Sequence, residues 1–166
     1  MELLPHLLSY YQGERTGSII ALGAGMVLLL IVLLVRQRSL PGSFSRGLFW
    51  PWLITGGLLT ASAPFMWMNN DRRLERMPQE LRADARSFVE KDLARMHQVN
   101  RTWMPLKIFW TVLVVGGVVL AFAGRAPNWK GVGLAILLIG ALGHVADGIA
   151  SRNAEHYTRQ LLQAQG

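Results

Sequence analysis

The sequence predicts an all-α integral membrane protein built as a four-helix bundle. Of its 166 residues, 51% are hydrophobic and only 16% are charged, whereas soluble domains average roughly 25% charged residues. Four apolar segments approach the length of about 20 residues that a helix needs to cross a bilayer. The charged residues concentrate between and beyond these segments. Composition and pattern therefore favour one compact membrane domain.

The predicted spans cover residues 16–35, 47–68, 104–124 and 131–150. The first two contain no charged side chain, the third contains Lys107, and the fourth is interrupted by Asp147. Each is bounded by charged or turn-forming residues. We expect four antiparallel helices joined by short loops, apart from one long connection.

That connection, residues 69–103, is rich in charges of both signs and is predicted to form a helical hairpin outside the membrane. A turn is expected at Met77-Pro78, because the residue before a proline avoids the helical region. Ser87 and Glu90 have the spacing of a capping box, in which a serine caps the helix and a glutamate reaches back to it. The second hairpin helix should then begin at Ser87.

Four spans place both termini and the hairpin on one side of the membrane. The tail, residues 151–166, is expected to continue the fourth helix there, with a weak apolar stripe at Tyr157, Leu161 and Leu162. That side carries 12 of the 17 Lys and Arg residues. Short loops rich in Lys and Arg stay cytoplasmic, so the termini and hairpin are predicted to be cytoplasmic. The arginines flanking the first span alone favour the reverse.

Aromatic and small residues support the same span boundaries. Aromatic side chains anchor the ends of membrane helices, and two such groups occur: Trp50, Trp52 and Trp129 at one interface, and Tyr10, Tyr11, Trp67 and Trp103 at the other. Small residues let helices approach closely in lipid. Their stripes are Gly17, Ala21 and Gly25; Gly57 and Ala61; Gly117 and Ala121; and Gly140 and Gly148. These stripes are also compatible with a homodimer.

The segment GHVADG contains His144 and Asp147, three residues apart and therefore on one helix face. An isolated charge at the bilayer centre costs about 2.5–3.5 kcal/mol on insertion scales. We therefore expect Asp147 to be paired, with Lys107 first and Arg101 or Arg73 next. Other polar side chains are predicted at the same depth: Tyr10, Tyr11, Glu14 and Arg152. The group is interpreted either as a structural ion pair or as a binding or proton-handling site.

Several chemistries are not expected. The chain has no cysteine, which excludes disulfides and thiolate metal sites. Only His144 lies inside a span, whereas His6, His97 and His156 do not, so neither haem nor zinc is predicted. We expect no cofactor and no metal. The net charge is +7. The basic residues flank the apolar segments, a pattern that indicates contact with lipid headgroups rather than binding of nucleic acid.

One partial enzyme signature is present. Residues 147–152, DGIASR, are similar to the start of the CDP-alcohol phosphotransferase signature. Leu161 stands where that family has a glycine, and the metal-binding aspartates that should follow are missing. That chemistry is therefore not expected.

The overall plan resembles small four-helix bacterial inner-membrane proteins with a charged hairpin, some of which are immunity proteins against secreted toxins. The residues that carry the resemblance are YYQGE at 10–14, DLARM at 92–96 and DGIASRNAEHY at 147–157. The resemblance implies a non-enzymatic protein of the inner membrane that binds a protein partner through the 69–103 hairpin. An ion- or proton-coupled carrier using His144 and Asp147 is the alternative. An interfacial lipid-modifying enzyme is a third.

Overall fold

The chain forms four long helices and no strand within the part that the structure describes. A computed structural model describes the backbone of residues 3–164 and the side chains of residues 5 and 7–164. The helices are α1 (Leu3–Arg38), α2 (Phe44–Ala83), α3 (Ala85–Ala123) and α4 (Pro127–Gln163). The predicted all-α, four-helix architecture is confirmed.

The helices form two closely packed pairs that meet mainly along α2 and α4. The most extensive contacts join α1 to α2 and α3 to α4, and α2 also packs along α4. Because the chain reverses direction at each of its three connections, both ends of the described chain meet the hairpin between α2 and α3. Leu7 and Leu161 pack there with Met77 and Val89. The two ends of the described chain and the hairpin therefore lie at one end of the bundle, as the four-helix plan predicts.

Short connections end the helices by recognisable turns and caps. At 39–43 the chain turns with Gly42 at a φ of 75°, a conformation that glycine adopts without steric penalty. Ser43 then caps α2, its hydroxyl oxygen accepting the Arg46 backbone N–H at 3.4 Å. At the hairpin only Asp84 lies outside the helices, in an extended conformation.

The hairpin connection corrects two predictions. Asp84, not Ser87, caps α3, and its carboxylate accepts the Ser87 backbone N–H at 3.0 Å. Glu90 does not reach back to the cap but accepts the Arg86 Nε–H at 3.3 Å. The turn expected at Met77-Pro78 is also wrong, since α2 continues through Pro78. Met77 is only 3% exposed, so its packing favours the helix enough to offset the hydrogen bond that proline cannot make.

The two ends of the bundle differ in their cores. We call residues 3–15, 69–103 and 151–164 the polar bundle, and residues 16–68 and 104–150 the apolar bundle. The contiguous hydrophobic core lies in the polar bundle and consists of Leu7, Tyr11, Met77, Val89, Met96, Ala154, Tyr157 and Leu161. The predicted tail helix is part of it, because Tyr157 and Leu161 are buried, whereas Leu162 is half exposed.

The apolar bundle contains helices suited to a membrane. Three helices, α1, α3 and α4, are long and apolar enough to cross one, with mean hydropathies of 2.9, 2.2 and 1.9 over their most apolar windows. The second predicted span, 47–68 in α2, is not apolar enough to be included with these three helices. Its prolines, glycines and hydroxyl side chains, in the segment 51–64, lower the hydropathy of α2.

Small residues hold the apolar bundle together, though not all those predicted. A Cβ added to Gly25 would lie 2.6 Å from Thr60 Oγ1, and one added to Gly117 would lie 2.5 Å from the Leu137 nitrogen. By contrast, a Cβ on Gly17, Gly57 or Gly148 would meet no atom of the described chain within 4 Å, apart from its own local backbone. The stripe on α2 is therefore formed by Gly56, Thr60 and Ala63 rather than by Gly57 and Ala61. Adjacent residues differ by about 100° around a helix axis, so an error of one residue places the stripe on a different face of α2.

Candidate functional site

Among the described residues, an extended polar cluster surrounds a buried carboxylate, Asp92. The Tyr11 hydroxyl donates to its Oδ1 at 3.3 Å, and the Tyr157 hydroxyl donates to its Oδ2 at 2.5 Å. Arg95 donates to both oxygens, from Nε at 2.6 Å and from a terminal nitrogen at 3.4 Å. We call these four residues the Asp92 network. It joins α1, α3 and α4.

The helical repeat explains why Asp92 faces inward. Val89, Asp92 and Met96 are spaced by three and four residues, so they share one face of α3, and all three are buried. Asp92 itself is 7% exposed. A charge taken out of water needs compensating donors, and Arg95 with the two phenols supplies them. All three residues that donate to Asp92 therefore belong to the polar bundle.

The environment of the network changes the acidity of its members. Burial raises the pKa of the Tyr157 phenol, and the negative charge of Asp92 raises it further. The same two causes raise the pKa of Tyr11. For Arg95, burial alone would lower the pKa, but the hydrogen bond to Asp92 and nearby groups raise it above its ordinary value. At neutral pH both phenols therefore stay protonated and donate to the carboxylate.

A third tyrosine extends the cluster towards the apolar bundle. The Tyr10 ring stacks on Tyr157 with centroids 4.4 Å apart, and its hydroxyl donates to Glu14 Oε1 at 3.1 Å. Burial raises the pKa of Tyr10, and the negative charge of Glu14 raises it further. Tyr10 and Tyr11 were expected to anchor the bundle at the membrane interface. The Tyr11 ring is part of the polar bundle core and the Tyr10 ring packs against it, so the interfacial role stays a prediction.

A cleft opens beside this network, at the level where the first apolar segment begins and the second ends. Its volume is about 190 Å³. Three of the residues that line it were predicted as site residues, namely Tyr11, Glu14 and Arg73. The remaining lining residues are Phe65, Met66, Asn69, Asn70 and Arg95. The structure thus brings part of the predicted polar group together, between α1 and α2.

His144 and Asp147 lie elsewhere, on the contact between α3 and α4. Asp147 Oδ2 accepts the Trp110 indole N–H at 2.5 Å, and His144 Nε2 lies 3.0 Å from Thr111 Oγ1. Neither side chain shares a hydrogen bond with Glu14, whose described side-chain partner is Tyr10. The predicted group is therefore divided between two helix pairs.

The ion pair expected for Asp147 is not present among the described side chains, which corrects that prediction. Among the described side chains, the ion pairs are Arg15–Asp71, Arg86–Glu90 and Arg95–Asp92. Lys107, Arg101 and Arg152, all site candidates, are exposed. Trp110 instead meets α4: a Cβ added to Gly143 would lie 2.5 Å from its ring. A neutral indole donor thus takes the place that we predicted for a cation.

Asp92 and Arg95 were not predicted as site residues, although both lie in the DLARM segment. The sequence does contain a signal, an acid placed on the apolar stripe of Val89 and Met96 and followed three residues later by an arginine. Among the described side chains, those of residues 5 and 7–164, no group of three or more His, Asp or Glu is arranged to hold a metal ion.

Comparisons with known proteins add no family. No protein-family model matches the chain, and no curated protein or solved structure matches it.

Proposed function

We propose that the chain is a non-enzymatic integral membrane protein that binds a protein partner through its polar bundle. Protection against a membrane-acting toxin is one concrete form of this role. The observation that carries the proposal is the Asp92 network, which directs its polar atoms inward. Such a network stabilises a domain, and the exposed charges of the hairpin are then available for recognition.

The membrane part of the proposal is supported by exposed apolar side chains. Leu30, Val112 and Leu142 are 60%, 62% and 68% exposed, and many of their neighbours are similar. Soluble monomers rarely expose contiguous apolar patches of more than a few hundred Å². We propose that all four helices cross a bacterial inner membrane with the hairpin in the cytoplasm. α2 is included because it lies between α1 and α4.

The partner-binding part is supported by preorganisation. The network links three helices, and the hairpin tip carries exposed charges of both signs at Glu80, Arg82, Arg86 and Glu90. A surface that is already rigid loses less conformational entropy on binding than a flexible one. Exposed charges on such a surface also steer association and select partners.

Crosslinking in native membranes tests partner binding. A photoreactive side chain at position 86 should yield a discrete adduct with a protein, whereas one at position 125, at the opposite end, should not. Charge reversal of Arg82 and Arg86 to Glu should remove an adduct formed from a neighbouring hairpin position. The matched reversal of Arg36 and Arg125 should leave it unchanged. An adduct that survives hairpin reversal, or none at any hairpin position, would contradict the proposal.

One observation favours the carrier as a second candidate. His144 and Asp147 lie in the fourth apolar segment, and each has a hydrogen-bonding partner on α3. Ionisable residues inside spans often serve ion or proton pathways. Proton flux into liposomes, measured for the wild type and for Asp147→Asn, separates the two roles. Flux that disappears in a folded Asp147→Asn protein would establish the carrier, and tight liposomes in both cases would favour partner binding.

A further inference from the structure

The cleft between α1 and α2 has the charge pattern of a small zwitterion. Glu14 and Arg73 supply one charge of each sign. Arg95 also lines the cleft, but Asp92 already neutralises it through two hydrogen bonds. The charged groups that remain for a ligand to pair with are therefore one cation, Arg73, and one anion, Glu14. A purely anionic ligand would meet the repulsion of Glu14.

Hydrogen-bonding capacity remains on both charged groups. Glu14 Oε1 accepts from Tyr10, which leaves the other carboxylate oxygen able to accept from a ligand. Arg73 is exposed and, among the described residues, has no ion pair. The floor includes Asn70, which is only 8% exposed and whose amide can donate. Arginine and amide donors together suit a phosphate.

The position of the cleft indicates where such a ligand comes from. Glu14 precedes the first apolar segment and Asn70 follows the second, so the cleft lies where the polar and apolar bundles join. Phe65 and Met66 form part of its lining and are 74% and 50% exposed. These side chains suit acyl chains, whereas a water-soluble ligand would gain little from them. A lipid is therefore favoured over a free solute.

We infer that this cleft binds the headgroup of a phospholipid that carries a primary ammonium group, of the phosphatidylethanolamine type. The phosphate lies against Arg73 and Asn70, and the ammonium donates to Glu14. A trimethylammonium headgroup has no N–H to donate, and a glycerol headgroup lacks the positive charge. The inference depends on the membrane placement proposed above, but not on the partner.

The test compares three lipids with identical acyl chains, carrying ethanolamine, choline or glycerol headgroups. Binding to the purified, delipidated full chain is measured by native mass spectrometry and by the shift in unfolding temperature. Charge-assisted hydrogen bonds contribute about 1.5–3 kcal/mol, so the ethanolamine lipid should bind at least about tenfold more tightly than the other two. Equal binding of all three would overturn the inference.

Two variants assign the contacts. Glu14→Gln keeps an acceptor for Tyr10 but removes the negative charge, so the preference for ethanolamine over glycerol should disappear. Arg73→Gln should weaken all three lipids by about tenfold. The hairpin variants Glu80→Gln and Arg82→Gln lie outside the cleft and should change nothing. An ethanolamine preference that survives Glu14→Gln would overturn the assignment.

Two further arms distinguish the possible failures. Free phosphoethanolamine that displaces the lipid at equal concentration would assign the site to a soluble ligand instead of a lipid, and the inference would be wrong. Membrane fractionation is done separately. A chain recovered in the soluble fraction would contradict the membrane placement itself, whatever the lipid results.

Discussion

The polar and apolar bundles are made from the same four helices but are packed by different rules. The polar bundle buries large side chains such as Leu7, Met96 and Leu161, none of which is measurably exposed. In the apolar bundle the close contacts involve glycines such as Gly25 and Gly117, and most large side chains face outward. In water the hydrophobic effect drives large apolar groups inward. In lipid that drive is absent, and helices associate by close approach at small residues.

The comparison also explains where polar atoms are found. In the polar bundle, Asp92 is surrounded by charged and phenolic donors from three helices. In the apolar bundle, Asp147 has a single indole donor from the neighbouring helix. The first arrangement can fix the positions of three helices, whereas the second fixes only one helix pair. Each half should therefore respond to different substitutions.

The largest effect is expected from Asp92→Ala. It removes the acceptor of Tyr11 and Tyr157 and leaves Arg95 without its partner. Removing one member of a buried ion pair costs about 3–5 kcal/mol. Denaturant unfolding in detergent micelles measures this loss. The control is Glu90→Ala, whose exposed partnership with Arg86 should change stability by no more than about 1 kcal/mol. Equal losses for the two variants would refute the central role of the network.

An intermediate effect is expected from Gly133→Ala. The added Cβ would overlap the backbone of α3 at Ala121, and overpacking of this kind costs about 1–3 kcal/mol. Gly57→Ala is the matched control in the same half. Its Cβ would enter open space, and alanine favours helix over glycine by up to about 1 kcal/mol. The two unfolding temperatures should move in opposite directions, and a fall at Gly57 would place the α2 stripe where the sequence first suggested.

A pH titration separates the halves without mutation, because all three tyrosines lie in the polar bundle. Their pKa values are raised above the ordinary 10.0. Above that pH the unfolded chain loses phenolic protons that the folded chain retains, so the free energy of unfolding falls as pH rises. It should be insensitive to these groups below pH 10. Tyrosinate absorbance should appear only together with unfolding, and early absorbance in a folded chain would contradict the buried cluster.

The smallest effect is expected from Asp147→Asn. Asparagine keeps a carbonyl oxygen that can accept from Trp110, so stability should change by less than about 1 kcal/mol. Lys107→Ala should be equally mild, because Lys107 is exposed. The unfolding temperatures of both variants and of the double variant provide the measurement. A large loss from Lys107→Ala would restore the ion pair that the structure does not contain.

The sequence predicted the helices better than their rotations. Apolar runs and charge clusters were enough to indicate four helices, the hairpin and the shared end of the termini. Side-chain partners depend on which face each helix presents. Lys107 and Trp110 differ by about 60° around the axis of α3, and this difference decides the partner of Asp147. Likewise Asp84 and Ser87 are both good helix caps, and only the hairpin geometry selects Asp84.

Asp92 illustrates the limit for the candidate site. An acid on an apolar stripe can indicate a buried network, but its donors, Tyr11 and Tyr157, are 81 and 65 residues away in sequence. No local pattern connects them. The three helices must first pack before the hydroxyls converge.

Cysteine accessibility in sealed membrane vesicles tests the two-part molecule most directly, and the chain has no native cysteine to interfere. Single cysteines at Glu90, Ser43 and Leu30 report on the hairpin, the opposite loop and the middle of α1. A membrane-impermeant thiol reagent should label positions 90 and 43 from opposite faces. Position 30 should stay unlabelled despite its 60% exposure, because thiolates do not form in lipid. Labelling at position 30, or of positions 90 and 43 from one face, would contradict the account.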